Sequence, residues 1–415
     1  MATKDIYVYI YLPNDTEATP AGLLSVTEDG RDTYSVFRYG KKYLVNPKRI
    51  TIDAVSLPLH SAEDEVEYRT EEGFKIFGGI RDASPDGWGR HVLERENNRL
   101  ELLESEYLLL AGEQRVGALA FGLDLNGPRK DSETNKTTNV QLEELLIAAE
   151  KVDSELELSE EHQQFFVRGS SLGGARPKAV TVWQDKWWLA KFARKDDRYD
   201  IVRSEYAVMT LAKKCGINVP EVQIKNILGR DIFLIKRFDR HGPATNRQYV
   251  RQHFNSALTM LNAHESESSK KSYEDIIDII RRFSADAEKD GRELFSRMVF
   301  NILVNNNDDH LRNHGFLYEG EHWNLSPLYD VVPNVQIGTE RDLALRVGNF
   351  GRAATLENAF SRSAAFYFSK EEARAEIERL KSIVNSWKKH FISAGFSAEQ
   401  AEGFATCFTA LKQTF

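Results

Sequence analysis

Residues 306–313 read Asn-Asn-Asp-Asp-His-Leu-Arg-Asn, and Asp330 follows within Leu328-Tyr329-Asp330-Val331-Val332-Pro333. Phosphoryl transfer requires a carboxylate near an attacking hydroxyl and oxygen ligands for Mg²⁺. Asp308 precedes Asn313 by five residues, the gap at which protein kinases place the metal-binding Asn after the catalytic Asp. Asp330, after a short apolar run, suits a second Mg²⁺ ligand. The spacing alone is a weak signal, because turn and cap formers fill polar loops for structural reasons. Its order among other motifs strengthens it.

Upstream lies Arg168-Gly169-Ser170-Ser171-Leu172-Gly173-Gly174-Ala175-Arg176-Pro177-Lys178. It matches neither G-x-x-x-x-G-K-[ST] nor G-x-G-x-x-G, which disfavours P-loop and Rossmann readings. Gly173 and Gly174 still permit close backbone approach to phosphates. Ser170 and Ser171 lie within reach of a γ-phosphate, or are ordinary loop serines. Lys191 ends a strand on the same face as Leu189 and Trp187, where it can reach covered phosphates; a solvated strand lysine is the alternative. Glu205 on the next helix can pair with Lys191 or sit at the surface.

The elements that must position these groups are legible in part. Ile6 to Leu12 and Tyr34 to Tyr39 have strand character. Residues 126–139 hold no large apolar side chain and predict a linker. Val92 to Leu100 and Leu142 to Val152 read as helices. Ala179–Trp183 and Trp187–Phe192 predict a hairpin around Gln184-Asp185-Lys186. Tyr206 to Lys214 predicts a helix with Gly216 at its C-terminus, and Ile232 to Ile235 a buried strand. Beyond residue 250 the periodicity is helical. Ser272 caps a stripe of Tyr273, Ile276, Ile277 and Ile280. Leu294, Phe295, Met298, Val299, Ile302 and Leu303 mark a central buried helix. Ser369 with Glu372 predicts the start of a helix from Lys370 to His390, and Ser397 with Gln400 another start.

At 415 residues the chain exceeds one usual core, which predicts two or three packed units. Its 41% hydrophobic and 28% charged composition is that of a globular protein. No apolar run approaches the roughly 20 residues that span a bilayer, and Met1 to Asp5 lacks a secretory pattern. Only Cys215 and Cys407 are present, so no disulfide framework or zinc motif is expected. These features fit a reducing cytoplasm. A net charge of −8 argues against direct nucleic-acid binding and assigns any such role to a partner.

Together the motifs resemble the HipA family of bacterial serine/threonine kinases, toxins of toxin–antitoxin pairs. The matching pieces are Ser171-Leu172-Gly173-Gly174-Ala175-Arg176-Pro177-Lys178, Arg237-Phe238-Asp239-Arg240 and Ser256-Ala257-Leu258. Asn306-x-Asp308-x-His310-x-x-Asn313, Leu325-Ser326-Pro327-Leu328-Tyr329-Asp330 and Pro85-Asp86-Gly87-Trp88-Gly89-Arg90 complete them. The resemblance implies an α+β, two-lobed protein-kinase-like fold. It places a β-rich N-terminal subdomain over 1–125, a nucleotide-binding lobe over 126–240 and an α-helical catalytic lobe over 241–415. It implies ATP and Mg²⁺ as cofactors, with Asp308 the general base and Asn313 and Asp330 holding the metal. Lys191 would contact phosphates and the Lys236 to Phe238 backbone would face adenine. Ser171, Gly173, Gly174, Asp239 and His310 complete the implied nucleotide set, and Ser171 is the implied site of inactivating autophosphorylation. A phosphoserine of about −1.5 to −2 charge would repel ATP phosphates in the same pocket. The implied substrate is an aminoacyl-tRNA synthetase. The implied partner is a small helix-turn-helix antitoxin, which would bind operator DNA on the chain's behalf; no membrane role is implied.

Three positions depart from the family pattern. Lys236 stands where a glutamate is common, Arg176-Pro177 replaces a more polar pair, and Asp309 sits beside the catalytic position. Asp309 could tune Asp308 by repulsion or take a metal itself. A small-molecule or lipid kinase would use the same Asp, Asn and Asp. A metal-dependent hydrolase using Asp308, Asp309 and His310 lacks a second histidine cluster, since His314 and His322 are irregularly placed. The remaining alternative is an inactive scaffold of an antitoxin–DNA repressor complex.

Overall fold

Alternating apolar side chains from Ile6 to Leu12 build the first sheet of the computed structural model. The structure describes residues 2–29, 32–85, 87–129, 142–154, 176–244, 249–335 and 341–414. Strands β1 (Ala2–Tyr11), β2 (Ala18–Asp29), β3 (Asp32–Tyr39), β4 (Tyr68–Arg69) and β5 (Leu119–Gly122) run antiparallel in the order β4-β3-β2-β1-β5. Ile6 opposes Leu24, and Leu24 opposes Phe37, so all three project from one face. That face is sealed by Ile52, Ile80 and Leu108. Burying each such side chain contributes about 1.5–3 kcal/mol.

This sheet belongs to a unit formed by Met1–Asp197, Asn226–Asn255 and Leu317–Glu321. The same unit contains the expected hairpin of β6 (Lys178–Trp183) and β7 (Lys186–Phe192). Gln184 and Asp185 are both left-handed, at φ 50° and 57°, the geometry of a tight two-residue hairpin turn. The strand Arg230–Lys236 pairs with the other edge of β7. Ala179, Trp188, Ala190, Phe192, Ile232 and Leu234 form one apolar face, covered by the Leu142–Asp153 helix. Trp187 and Val182 look the other way, against Ala244 and Tyr249.

The other unit comprises Arg198–Lys225, Ser256–Phe316 and His322–Phe415 and is mainly helical. Ser272 caps the Tyr273–Phe283 helix as expected, through a reciprocal capping box with Asp275. The Ala287–Val304 helix buries Leu294, Phe295, Met298, Val299, Ile302 and Leu303. Phe295 meets Phe368 at 4.9 Å between ring centroids.

Three helices differ in their bounds from expectation. The helix after Ser369 ends at Val384, and a second runs Trp387–Ser393. The break turns the Trp387 ring to stack on Phe408 at 4.2 Å, a packing that periodicity along one axis does not reveal. The expected Val92 to Leu100 helix runs Gly87–Glu96, leaving Leu100 fully exposed. Asp200, whose side chain accepts from Arg203 N–H, starts the Ile201–Lys214 helix earlier than periodicity suggested. Most of the expected linker, 130–139, lies outside the described residues. Among the described residues no helix is long and apolar enough to cross a membrane.

Candidate active site

The apolar Ala287–Val304 helix stops where the sequence turns to asparagine. Asn305 is left-handed (φ 55°, ψ 45°), a conformation asparagine tolerates better than most residues. Asn306 N–H then closes the helix on the Asn301 carbonyl at 2.9 Å. The polar loop thus starts from a rigid, buried support.

Beyond that point the loop is held by its own amides. His310 N–H reaches the Asp308 carbonyl at 2.9 Å, and Asn313 N–H reaches the His310 carbonyl at 2.8 Å. The Asn313 side chain donates from Nδ2 to the same Asp308 carbonyl at 2.9 Å. With a donor committed there, the Asn313 amide keeps Oδ1 as an acceptor that can take a metal. Tyr329 Oη donates to the Arg312 carbonyl at 2.6 Å, which ties the residue before Asp330 to the turn that carries Asn313. Asp330 itself is left-handed, with φ 60°.

Asp308 is exposed as a residue, although surrounding protein shields its carboxyl. Burial is the largest influence on that carboxyl and raises its pKa. His310 opposes the rise, while the carboxylates of Asp330 and Asp309 add to it. Two carboxylates that repel one another, beside an amide oxygen, suit a small hard cation that takes few protein ligands. Asn313 and Asp330, with the Asp308 carboxylate beside them, therefore fit magnesium. Among the described residues no group of three or more His, Cys, Asp or Glu side chains is placed to hold a metal.

Asp309 lies in a different environment from its neighbour, with 2% exposure. Asn301 Nδ2 donates to its Oδ2 at 2.7 Å, the Tyr273 hydroxyl donates to the same oxygen, and His314 Nε2 lies 3.0 Å from Oδ1. Burial acts to raise its pKa, but His314 and the Tyr273 hydrogen bond outweigh it and hold the carboxyl below the usual range. A carboxylate so enclosed is not presented to a metal, so of the two roles weighed for Asp309 only an influence on Asp308 remains. That influence is the smallest of the four acting on Asp308.

In the first unit Lys191 is buried and shares its sheet face with Trp187, as its position in β7 predicts. Directly across the hairpin stands Lys178, also buried. Counting outward from the Gln184-Asp185 turn pairs 178 with 191, so the hairpin register is the signal for this second lysine. Arg176 forms a two-pronged pair with Asp197, at 2.9 and 2.8 Å, so the unusual arginine anchors the end of the glycine loop. Ser171, Gly173 and Gly174 lie outside the described residues.

The segment Lys236 to Phe238 leaves its strand with Arg237 N–H on the Trp187 carbonyl at 2.9 Å. Lys236 and Phe238 are half-buried, whereas Asp239 is 2% exposed. Asp239 accepts from Arg237, from Arg240 and from Gly117 N–H. Burial alone would raise its pKa, but the two guanidinium groups hold it far below the carboxylate range. Arg237 reaches on to the Gln114 carbonyl at 2.9 Å, and Arg240 to the Gly117 carbonyl at 2.9 Å. In this arrangement Asp239 braces the segment from behind, a structural task the motif alone did not reveal. Glu205, in the other unit, is buried rather than at the surface.

Known proteins share the family and the fold of this chain. The HipA N-terminal domain matches residues 15–122, and the HipA-like C-terminal domain matches residues 170–387, just over half of the chain. A Haemophilus influenzae protein described as a candidate kinase is 26% identical over 184 residues, covering 40% of this chain and 53% of that one. The serine/threonine-protein kinase toxin HipA of Shewanella oneidensis is 26% identical over 184 residues, 39% of this chain and 42% of that one. The chain thus spans about half the length of the curated relatives it matches. The structure of Shewanella oneidensis HipA, solved with HipB and operator DNA, superposes over 98% of this chain and 95% of that one. Its TM-score is 0.69 at 16% identity, which shows a common α+β, kinase-like fold. By its sequence motifs, its fold and its domain matches, the chain belongs to the HipA family.

Proposed function

We propose that the chain is a Mg-ATP-dependent serine/threonine protein kinase of the HipA toxin type. The observation that carries this reading is the meeting of three groups in one unit. Asn313 holds the Asp308 carbonyl, and the Asp330 carboxylate is near enough to raise the Asp308 pKa. Asp308 accepts the proton of an acceptor serine hydroxyl as its oxygen bonds to the γ-phosphorus and the bond to the departing diphosphate breaks. Asn313 Oδ1 and Asp330 hold Mg²⁺, which when bound neutralises phosphate charge. Lys191 contributes a second positive charge, and the Lys236 to Phe238 backbone receives adenine. His310, Gly173 and Gly174 complete the nucleotide set, while Asp239 acts on it by bracing the Lys236 to Phe238 segment. Positioning and electrostatics account for most of the rate.

Ser171 is the proposed site of autophosphorylation. Family membership supports an aminoacyl-tRNA synthetase as substrate, a HipB-like helix-turn-helix antitoxin as partner, and DNA contact through that antitoxin. The same membership supports a cytoplasmic location, where those substrates are found.

Incubation of the purified chain with Mg²⁺ and radiolabelled ATP tests the reading. Label on serine, mapped to Ser171 and to a host synthetase, is expected; Asp308→Gln should abolish it with the fold retained. Asp330→Asn should raise the Mg²⁺ concentration needed for nucleotide binding and slow turnover. Label found only on a lipid or small metabolite would replace the protein-kinase reading. Near-normal transfer by Asp308→Gln would remove the assignment of the base.

A further inference from the structure

Asp309 stands beside the proposed base, yet phosphoryl transfer as described above makes no use of it. We propose that Asp309 is a positioning residue: its buried carboxylate locks the 306–314 loop so that Asp308 is presented outward to the acceptor. The proposal rests on the kinase reading for the role of Asp308, and on geometry for the lock.

Two separate helices and the far end of the loop itself converge on this one carboxylate. Asn301, on the last turn of the Ala287–Val304 helix, donates to Oδ2 at 2.7 Å and accepts from Asn306 Nδ2 at 3.1 Å. The start of the loop and Asp309 are thus fastened to the same side chain. Tyr273 opens the Tyr273–Phe283 helix, is fully buried, and donates its hydroxyl to Asp309. Its backbone N–H is itself fixed on the Arg346 carbonyl at 3.1 Å. His314, just past Asn313, lies 3.0 Å from Oδ1, and its ring meets the Tyr273 ring edge-on at 5.5 Å. The His314 carbonyl accepts from Ala257 N–H at 2.7 Å.

The two neighbouring aspartates are divided by this network, 309 buried and 308 exposed. A buried carboxylate is costly unless several donors meet it, so the loop has a strong preference for the arrangement that keeps Asp309 inside. The same arrangement sets the direction of Asp308 and the Asp308 carbonyl on which Asn313 is hung. A loop released from Asp309 would let both wander, and misplacement of about 1 Å can cost about a hundredfold in rate.

The test compares Asp309→Asn and Tyr273→Phe with the unaltered full-length chain by amide hydrogen exchange and by steady-state kinetics. In Asp309→Asn the amides of 306–314 should exchange about tenfold faster or more, with the core of the Ala287–Val304 helix unchanged. kcat should fall about 10- to 100-fold while KM for Mg-ATP stays within about twofold. Tyr273→Phe, which removes a lone hydroxyl and serves should Asp309→Asn fail to fold, should change both readouts in the same direction but less. The double variant should be no worse than Asp309→Asn, because both act through one carboxylate. Loop exchange within about twofold of the unaltered chain, or an unchanged kcat in a loop that exchanges faster, would overturn the proposal. If the unaltered chain transfers no phosphate, the kinase reading falls, and the exchange measurement alone decides whether Asp309 locks the loop.

Discussion

Asn305 and Asn334 form a reciprocal pair: the Asn305 side-chain amide donates to the Asn334 carbonyl at 2.5 Å, and Asn334 N–H donates to the Asn305 carbonyl at 3.0 Å. Asn334 Nδ2 adds a third bond, to Asn307 Oδ1 at 2.8 Å. Asn305 lies three residues before Asp308, and Asn334 four residues after Asp330. The two carboxylates of the proposed site therefore hang from one clamp.

Asn305→Gly should preserve the left-handed backbone, which glycine adopts freely, and remove the side-chain bond alone. We expect a stability loss of about 1 kcal/mol and a fall in kcat of about 3- to 10-fold. Urea unfolding and phosphoryl-transfer rates on one preparation check both numbers. A rate loss matched by no change in stability, or the reverse, would separate the clamp from the chemistry.

The two buried lysines on one sheet face make a second prediction. Lys191→Met should weaken ATP binding by about tenfold or more, because a desolvated cation interacts strongly with phosphate. Lys178→Met, directly opposite across the hairpin, should weaken it less, and the two effects should not add. Calorimetric titration of Mg-ATP into the two single variants and their double variant measures the coupling; strict additivity would show that the lysines act on different ligand groups.

Asp239→Asn should be severe for the fold. It leaves Arg237 and Arg240 buried without a counter-charge, a loss of about 3–5 kcal/mol. The sign with pH follows from the depressed pKa: the contribution is complete above about pH 4, where the unfolded carboxyl is already ionised. It is lost as pH falls below that value toward the folded pKa. Acid unfolding of the unaltered chain and of Asp239→Asn should therefore differ most at neutral pH and converge as the medium becomes strongly acidic.

His253 titrates in the opposite chemical sense. Burial pushes its pKa down from 6.5 to about 4, with Nε2 held on the Ile52 carbonyl at 2.9 Å. The unfolded chain takes up this proton near pH 6.5 and the fold only near pH 4, so stability is complete above 6.5 and declines between the two. The limit is roughly 3 kcal/mol. His253→Asn retains a donor without the titration, and its urea midpoint should vary less between pH 7.5 and 4.5 than that of the unaltered chain.

What the sequence by itself determined is local. The five-residue gap from Asp308 to Asn313 closes within one turn, through bonds among residues 308, 310 and 313. The caps at Ser272, Ser369 and Ser397, and the hairpin around Gln184 and Asp185, close over two to four residues. Backbone propensity and short-range hydrogen bonds act at that range whatever the rest of the chain does. Only the tertiary structure decided which of two adjacent aspartates faces outward, because the partners of Asp309 lie 8 and 36 residues away at Asn301 and Tyr273. It also decided that Asp239 is a brace, since Gly117 meets it across 122 residues. Side-chain burial is set by whatever packs against it, and the partner of a buried charge is chosen by the fold.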